Sequence, residues 1–351
     1  MKYNILTGVR PVLLTLAALL TAHLVLVELR PATRTTAPQS GTRVGIVLDI
    51  GGRGDKSFND GAYTGGELAA RRLGARVRFI EPGEGSDREA GLRLFSAQGT
   101  DLVIGVGFIF SDDLTELARE YPRQAFAGID FAQATDAAGA VIAPPANLAA
   151  IKFREEEGSY LVGALAALAG GSKRVGFVGG MDIPLIHKFE AGYRAGVARV
   201  CHDCTVVAQY AGATPEAFRN PERGKELALS QYQSGVNVVF QAAGATGLGV
   251  FEAARQTGKL AIGTDADQYD LAPGHVLTSM VKRVDVATYD AIRRVHDGTF
   301  RGGVSSLGLK EGGVGFVDDV HNHALIPDSV RTIIVALRDE IIAGRIVVPN
   351  R

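Results

Sequence analysis

"RVGFVGG", residues 174–180, repeats the opening of "RVGIVLD", residues 43–49. Both are short Val/Ile/Phe-rich runs that begin Arg-Val-Gly, and both read as strands. Fifteen residues beyond each Arg stands a phenylalanine, Phe58 or Phe189. Eighteen residues beyond stands a glycine, Gly61 or Gly192, within "FNDGAY" and "FEAGYR". Strand, aromatic and glycine in one register imply two copies of one α/β plan.

Outward from these anchors the pattern alternates. In the first half, "RVGIVLD", "ARVRFIE", "DLVIGVG", "QAFAGID" and "GAVIAP" read as strands. Amphipathic stretches at 58–73, 87–98 and 112–121 read as helices between them. "APPANLAA" interrupts, and "FREEEGSYLVGALAALAGG" reads as one long helix. The second half continues with strands "RVGFVGG", "TVVAQY", "NVVFQ", "LAIGTD" and "HVLTSMV", and helices at 183–200 and near 216–231. This βαβα order predicts a doubly wound parallel sheet in each half. A chain of 351 residues exceeds one ordinary core and fits two.

With 46% hydrophobic and 21% charged residues and a formal net charge of -1, the chain has no basic footprint for nucleic acid. Its start differs. Lys2 and Arg10 precede "PVLLTLAALLTAHLVLV", Pro11 to Val27, and "PATRTTAPQSGT" follows. Basic residues before an apolar run predict export, through either a cleaved signal or a retained membrane anchor. No cysteine follows the run, which excludes a bacterial lipid anchor at that point. The only cysteines are Cys201 and Cys204 in "VCHDCTVV". In an exported protein they read as a local disulfide or two free thiols in preference to a metal site, which would need more ligands than His202.

Candidate binding residues lie at the carboxyl ends of strands, where open α/β sheets take ligands. Asp49, Asp130 and Asp265 end strands, and Lys282 follows "LTSMV". Carboxylates there suit vicinal hydroxyls, although such residues also cap helices. Phe58, in "GDKSFNDGAY", stands among polar neighbours. With Phe189 it reads as one of two plates for a flat heterocycle, though Phe189 also fits the core face of its helix.

"VVFQAAGATGLGVFEAA" carries Gly244, Gly247 and Gly249 before a helix, with Asp265 about 20 residues on, close to the layout of a dinucleotide site. The spacing is G-x-x-G-x-G, however, so the milder reading is backbone amides brought close to a ligand. No nucleophile elbow, HExxH motif or P-loop is present. His321 and His323 in "VHNHAL" read as a solvated loop.

Taken together, "DKSFNDGAY", "EEEGSYLVGALAA", "RVGFVGGMDIPLIHKFEAGY", "VVFQAAGATGLGV", "IGTDADQ" and "LTSMVKRVD" resemble the BMP family of extracytoplasmic solute-binding proteins, the PnrA-like purine-nucleoside receptors of ABC importers. The resemblance runs from about Val44 to Pro349. It implies a type I periplasmic-binding-protein fold, with two Rossmann-like lobes joined by a three-segment hinge. Residues 1–30 would be the signal or anchor and 31–42 a linker. Residues 43–146 plus 283–313 would form one lobe, and 147–282 plus 314–351 the other.

The resemblance also implies a non-enzymatic receptor without cofactor or metal. Its expected partners are adenosine, guanosine or inosine, and a membrane permease. It assigns stacking to Phe58 and a second aromatic, Phe189 first and Phe240 as competitor. It assigns base contacts to Asp49 and Asn59, and ribose contacts to Asp130, Gly244, Asp265 and Lys282. The chain departs from the family at the missing lipid-anchor cysteine and at Gly54, where an acid is common. A sugar receptor of the same fold and a nucleotide-dependent oxidoreductase are the alternative readings.

Overall fold

The computed structural model describes residues 41–81 and 87–351; the expectations for the apolar segment lie outside them. Two six-stranded sheets organise the described chain. The first contains β1 (Arg43–Val47), β2 (Arg76–Ile80), β3 (Leu102–Val106), β4 (Ala125–Ile129), β5 (Leu148–Phe153) and β11 (Gly303–Leu307). Its order is β11-β5-β4-β3-β1-β2, parallel throughout. The second contains β6 (Arg174–Met181), β7 (Thr205–Gly212), β8 (Val238–Ala242), β9 (Leu260–Asp265), β10 (Val276–Lys282) and β12 (Val314–Phe316). Its order is β12-β10-β9-β8-β6-β7, with only β12 antiparallel. The central strands β3 and β8 are buried along their whole length, because helices cover both faces of such sheets.

The repeat read in the sequence is a repeat in space. The first sheet is flanked by α1 (Phe58–Leu73), α2 (Asp87–Ala97), α3 (Ser111–Glu120) and α8 (Val284–His296). The second is flanked by α4 (Glu155–Ala169), α5 (Pro184–Val200), α6 (Pro221–Gln233), α7 (Gly247–Thr257) and α9 (Asp328–Ile342). In each lobe the helix after the first strand packs glycine-first on the helix that enters from the other lobe. A Cβ on Gly61 would lie 3.3 Å from Val284 Cβ, and one on Gly65 would overlap the Asp285 carbonyl. Gly192 and Gly196 meet the backbone of Glu156 and Tyr160 in the same way. Phe58 and Phe189 each stand one helical turn before the first glycine of their pair.

The chain crosses between lobes three times: at Arg154 between β5 and α4, at Arg283 between β10 and α8, and at 308–313 between β11 and β12. The first crossing corrects the boundary expected at 146/147. β5 pairs with β4 and β11, so residues 148–153 belong to the first lobe. The long helix correspondingly begins at Glu155. "LAAIKF" is an apolar run whose lack of period does not separate a buried strand from a buried helix. "GAVIAP" is no strand. It forms one side of a turn closed by a single Thr135–Val141 bridge, with Val141 61% exposed.

Candidate functional site

The carboxyl ends of both sheets face one cavity of about 60 Å³, lined by residues of both lobes. From the first lobe, α1 begins on a tied turn. Asp55 accepts the backbone N–H groups of Ser57 (2.9 Å), Asn59 (2.8 Å) and Asp60 (3.1 Å). This satisfies donors that a helix start otherwise leaves unpaired. Asn59 accepts the Asp49 N–H through Oδ1 (2.8 Å) and donates through Nδ2 to Asp55 (3.2 Å), so it locks the loop after β1 to the helix. Phe58, between these two polar residues, is thereby held at the cavity wall. Burial pushes the Asp49 carboxyl up to about 7 and that of Asp55 to about 6.

Two aspartates occupy the same place in the two lobes. Asp130 follows β4 and Asp265 ends β9, and β4 and β9 hold equivalent positions in their sheets. Both adopt left-handed backbone conformations, with φ of 58° and 69°. Such strain in residues other than glycine gathers at ligand sites. Between them lies the ammonium of Lys282, 2.6 Å from Asp130 Oδ2 and 3.8 Å from Asp265 Oδ1. Glu155 Oε1 is also 3.8 Å away. Lys188 donates to Glu155 and, at 2.6 Å, to the Phe153 carbonyl. Burial raises the pKa of Asp265, and that of Glu155 to about 7, while the surrounding carboxylates hold Lys282 firmly protonated.

The Lys282 ammonium lies 4.8 Å from the ring centre of Phe58, 5.4 Å from Phe189 and 5.5 Å from Phe153. Polar and aromatic groups thus meet at one point. Asp130 Oδ1 and Asp265 Oδ1 are buried and have no hydrogen-bond partner. Buried acceptors left in that state are costly. Their residues face the cavity, so the site offers two carboxylate oxygens to incoming donors.

The lobes are drawn together. Ser57 Oγ donates to Asp265 Oδ2 at 2.5 Å, and Gln268 Nε2 donates to the Lys56 carbonyl at 2.9 Å. Both bonds join the turn before α1 to the end of β9 and the loop that follows it.

Of the residues read from sequence, Asp49, Phe58, Asn59, Asp130, Phe189, Gly244, Asp265 and Lys282 all line this cavity. Phe240 does not. Its side chain is fully buried on β8, packed on Tyr193 at 5.3 Å and Phe177 at 5.6 Å, behind Phe189. Alternation along a strand sends it into the core. Gly244 takes a positive φ of 56°. The other glycines of its turn serve packing: a Cβ at Gly247 would overlap the Gln241 side chain, and one at Gly249 the Pro221 carbonyl. Cys201 and Cys204 are joined as a disulfide at the end of α5.

Phe108 and Phe218 also line the cavity and were not read from the sequence. Phe108 follows the end of β3, so the strand-end rule that found the aspartates could have found it. Phe218 lies in a short 3-10 turn, Pro215–Phe218, and occupies the space that Gly180 leaves. Only that glycine on a facing strand hints at it.

Residues 42–351 match the family model described as ABC transporter substrate-binding protein PnrA-like. The chain is 39% identical over 300 residues to an uncharacterized lipoprotein of Pyrococcus abyssi, covering 82% of this chain and 71% of the relative. It is 31% identical over 332 residues to the ABC transporter nucleoside-binding protein BmpA of Lactococcus lactis subsp. cremoris, covering 88% and 89%. The crystal structure of an ABC transporter solute-binding protein from Aeropyrum pernix K1 superimposes with a TM-score of 0.80 at 34% identity, covering 88% of this chain and 94% of that one.

Proposed function

We propose that this chain, which belongs to the PnrA-like family of ABC transporter substrate-binding proteins, captures a purine nucleoside between its lobes. It is a solute-binding protein of the type I periplasmic-binding fold and not an enzyme. The observation that carries the nucleoside reading is the meeting of two aromatic rings with two buried carboxylate oxygens that lack a hydrogen-bond partner, around one ammonium.

In this reading the base lies between Phe58 and Phe189, with Asp49 and Asn59 at its edge. The ribose hydroxyls donate to Asp130 and Asp265 and accept from Lys282, beside the Gly244 backbone. Vicinal hydroxyls fit because each can donate one proton and accept another. Support comes from the Lactococcus lactis relative, which is named for nucleoside binding. Closure brings the Ser57–Asp265 and Lys56–Gln268 bonds together behind the ligand, and the closed form docks on a permease outside the cytoplasm. The Pyrococcus abyssi relative is named a lipoprotein. The cysteines of this chain stand only at 201 and 204, so we assign membrane attachment to the N-terminal apolar segment.

The test is a thermal-shift screen, since a ligand that binds only the native state raises its melting temperature. Adenosine, guanosine or inosine should raise it, while glucose, galactose and NAD should not. A shift with a hexose and none with a nucleoside would move the assignment to a sugar receptor.

A further inference from the structure

We propose that Asp267, Asp319 and His321 form a binding site for a divalent cation of zinc-type chemistry at the lip of the second lobe. The three residues come from two loops: Asp267 from the loop after β9, Asp319 and His321 from the segment between β12 and α9. One ligand atom from each lies within 4.8 Å of the others. The imidazole sets the chemistry. Calcium and magnesium favour sites built of oxygen alone, whereas zinc takes histidine nitrogen with carboxylate oxygen and accepts water as the remaining ligand.

Each side chain is held in place. Asp267 Oδ1 accepts the Tyr269 N–H at 3.0 Å. The His321 ring stacks on Tyr269, with centroids 4.4 Å apart and planes 11° from parallel. Asp319 Oδ1 accepts the His321 N–H at 2.9 Å, and its Oδ2 lies 3.4 Å from His321 Nδ1. Beneath them, buried Asn322 accepts the Asp319 N–H at 3.2 Å and donates to the Val317 carbonyl at 2.8 Å.

An ion pair between His321 and Asp319 accounts for one of the carboxylates. It does not account for Asp267, a second negative charge brought from a separate loop to the same point. Among the described residues, neither carboxylate is ion-paired with a lysine or arginine. Like charges so placed repel, and a bound cation offsets that repulsion. The location has a consequence. Gln268, next in sequence to Asp267, makes the bond across the cleft to the Lys56 carbonyl. A cation that fixes Asp267 stiffens the loop that closes on the first lobe.

The experiment uses the purified protein, stripped with EDTA and kept oxidised so that Cys201 and Cys204 offer no thiolate. Zinc chloride is titrated by calorimetry, and amide hydrogen exchange is followed with and without zinc. The expected result is one equivalent bound, calcium and magnesium at least about tenfold weaker, and slowed exchange at residues 266–269 and 317–323. His321→Ala and Asp267→Asn should each weaken zinc binding by about tenfold or more. Asp267→Asn keeps an acceptor for the Tyr269 N–H, and an unchanged melting temperature without metal would show that it folds. Absence of saturable zinc binding, or binding that survives both substitutions, would overturn the site.

Discussion

Asp130 and Asp265 face each other across Lys282 from equivalent strand ends of the two lobes, both in left-handed backbone conformations. One lysine, supplied by the strand that leads into the second crossing, is the counter-charge for both. The two lobes therefore share a charge balance that neither holds alone.

Asp265→Ala removes both the acceptor and its charge. Loss of a hydrogen bond to a charged group is worth about 1.5–3 kcal/mol, so nucleoside affinity should fall about tenfold to a hundredfold. Binding of the free base should be nearly unchanged. Calorimetry with both ligands checks this, and equal losses would place Asp265 outside the ribose contacts.

Lys282→Met leaves Asp130, Glu155 and Asp265 without their shared cation. Breaking a buried pair by removing one partner costs about 3–5 kcal/mol. The empty protein should melt markedly lower at neutral pH and recover part of the loss at pH 5, where Glu155 is protonated. No loss at neutral pH would show the network to be dispensable.

Phe58→Ala should weaken nucleoside binding about tenfold or more, since stacking contributes about 1–3 kcal/mol per ring by truncation. Phe58→Tyr should retain most of the affinity because the ring face is kept. Phe189 is nearly fully buried and packs on the core near Phe240, so Phe189→Ala should lower both affinity and melting temperature. Undiminished affinity in Phe58→Ala would refute the clamp.

Asp49 and Glu155 are held near 7 by burial and Asp55 near 6, all above their unfolded values of about 4. The folded state then binds more protons than the unfolded one over that interval. Stability of the empty protein is fully present below it and declines as pH rises through the folded values. Carboxyls lowered by neighbours, such as Asp101, are ionised in both states there and add no slope. The melting temperature should fall between pH 5.5 and 7.5, and Asp49→Asn should flatten the fall. A rise across that window would contradict the assignment.

Much of this was legible because the repeat left marks at fixed spacing. At Gly192 the entering helix passes too close for a Cβ, and at Gly61 a Cβ would crowd Val284; the phenylalanines one turn earlier were found from the Arg-Val-Gly starts of the two strands. Strand ends gave the aspartates and Lys282. What stayed hidden was β5, whose apolar residues carry no period that separates strand from helix. Phe218 was hidden too, because its place depends on a short turn and on space left by Gly180 in another strand. Phe240 was misplaced because the sequence shows that a residue lies in a strand but not which face of the sheet it takes.

The most direct test of nucleoside capture is calorimetric titration of the purified protein, freed of any carried ligand by unfolding and refolding. Inosine, adenosine and guanosine would be titrated beside ribose, the free bases and glucose. The account predicts one site per chain that binds at least one purine nucleoside far more tightly than either of its halves, because rings and carboxylates act on the same molecule. Saturable binding of glucose with no heat from any nucleoside would contradict it.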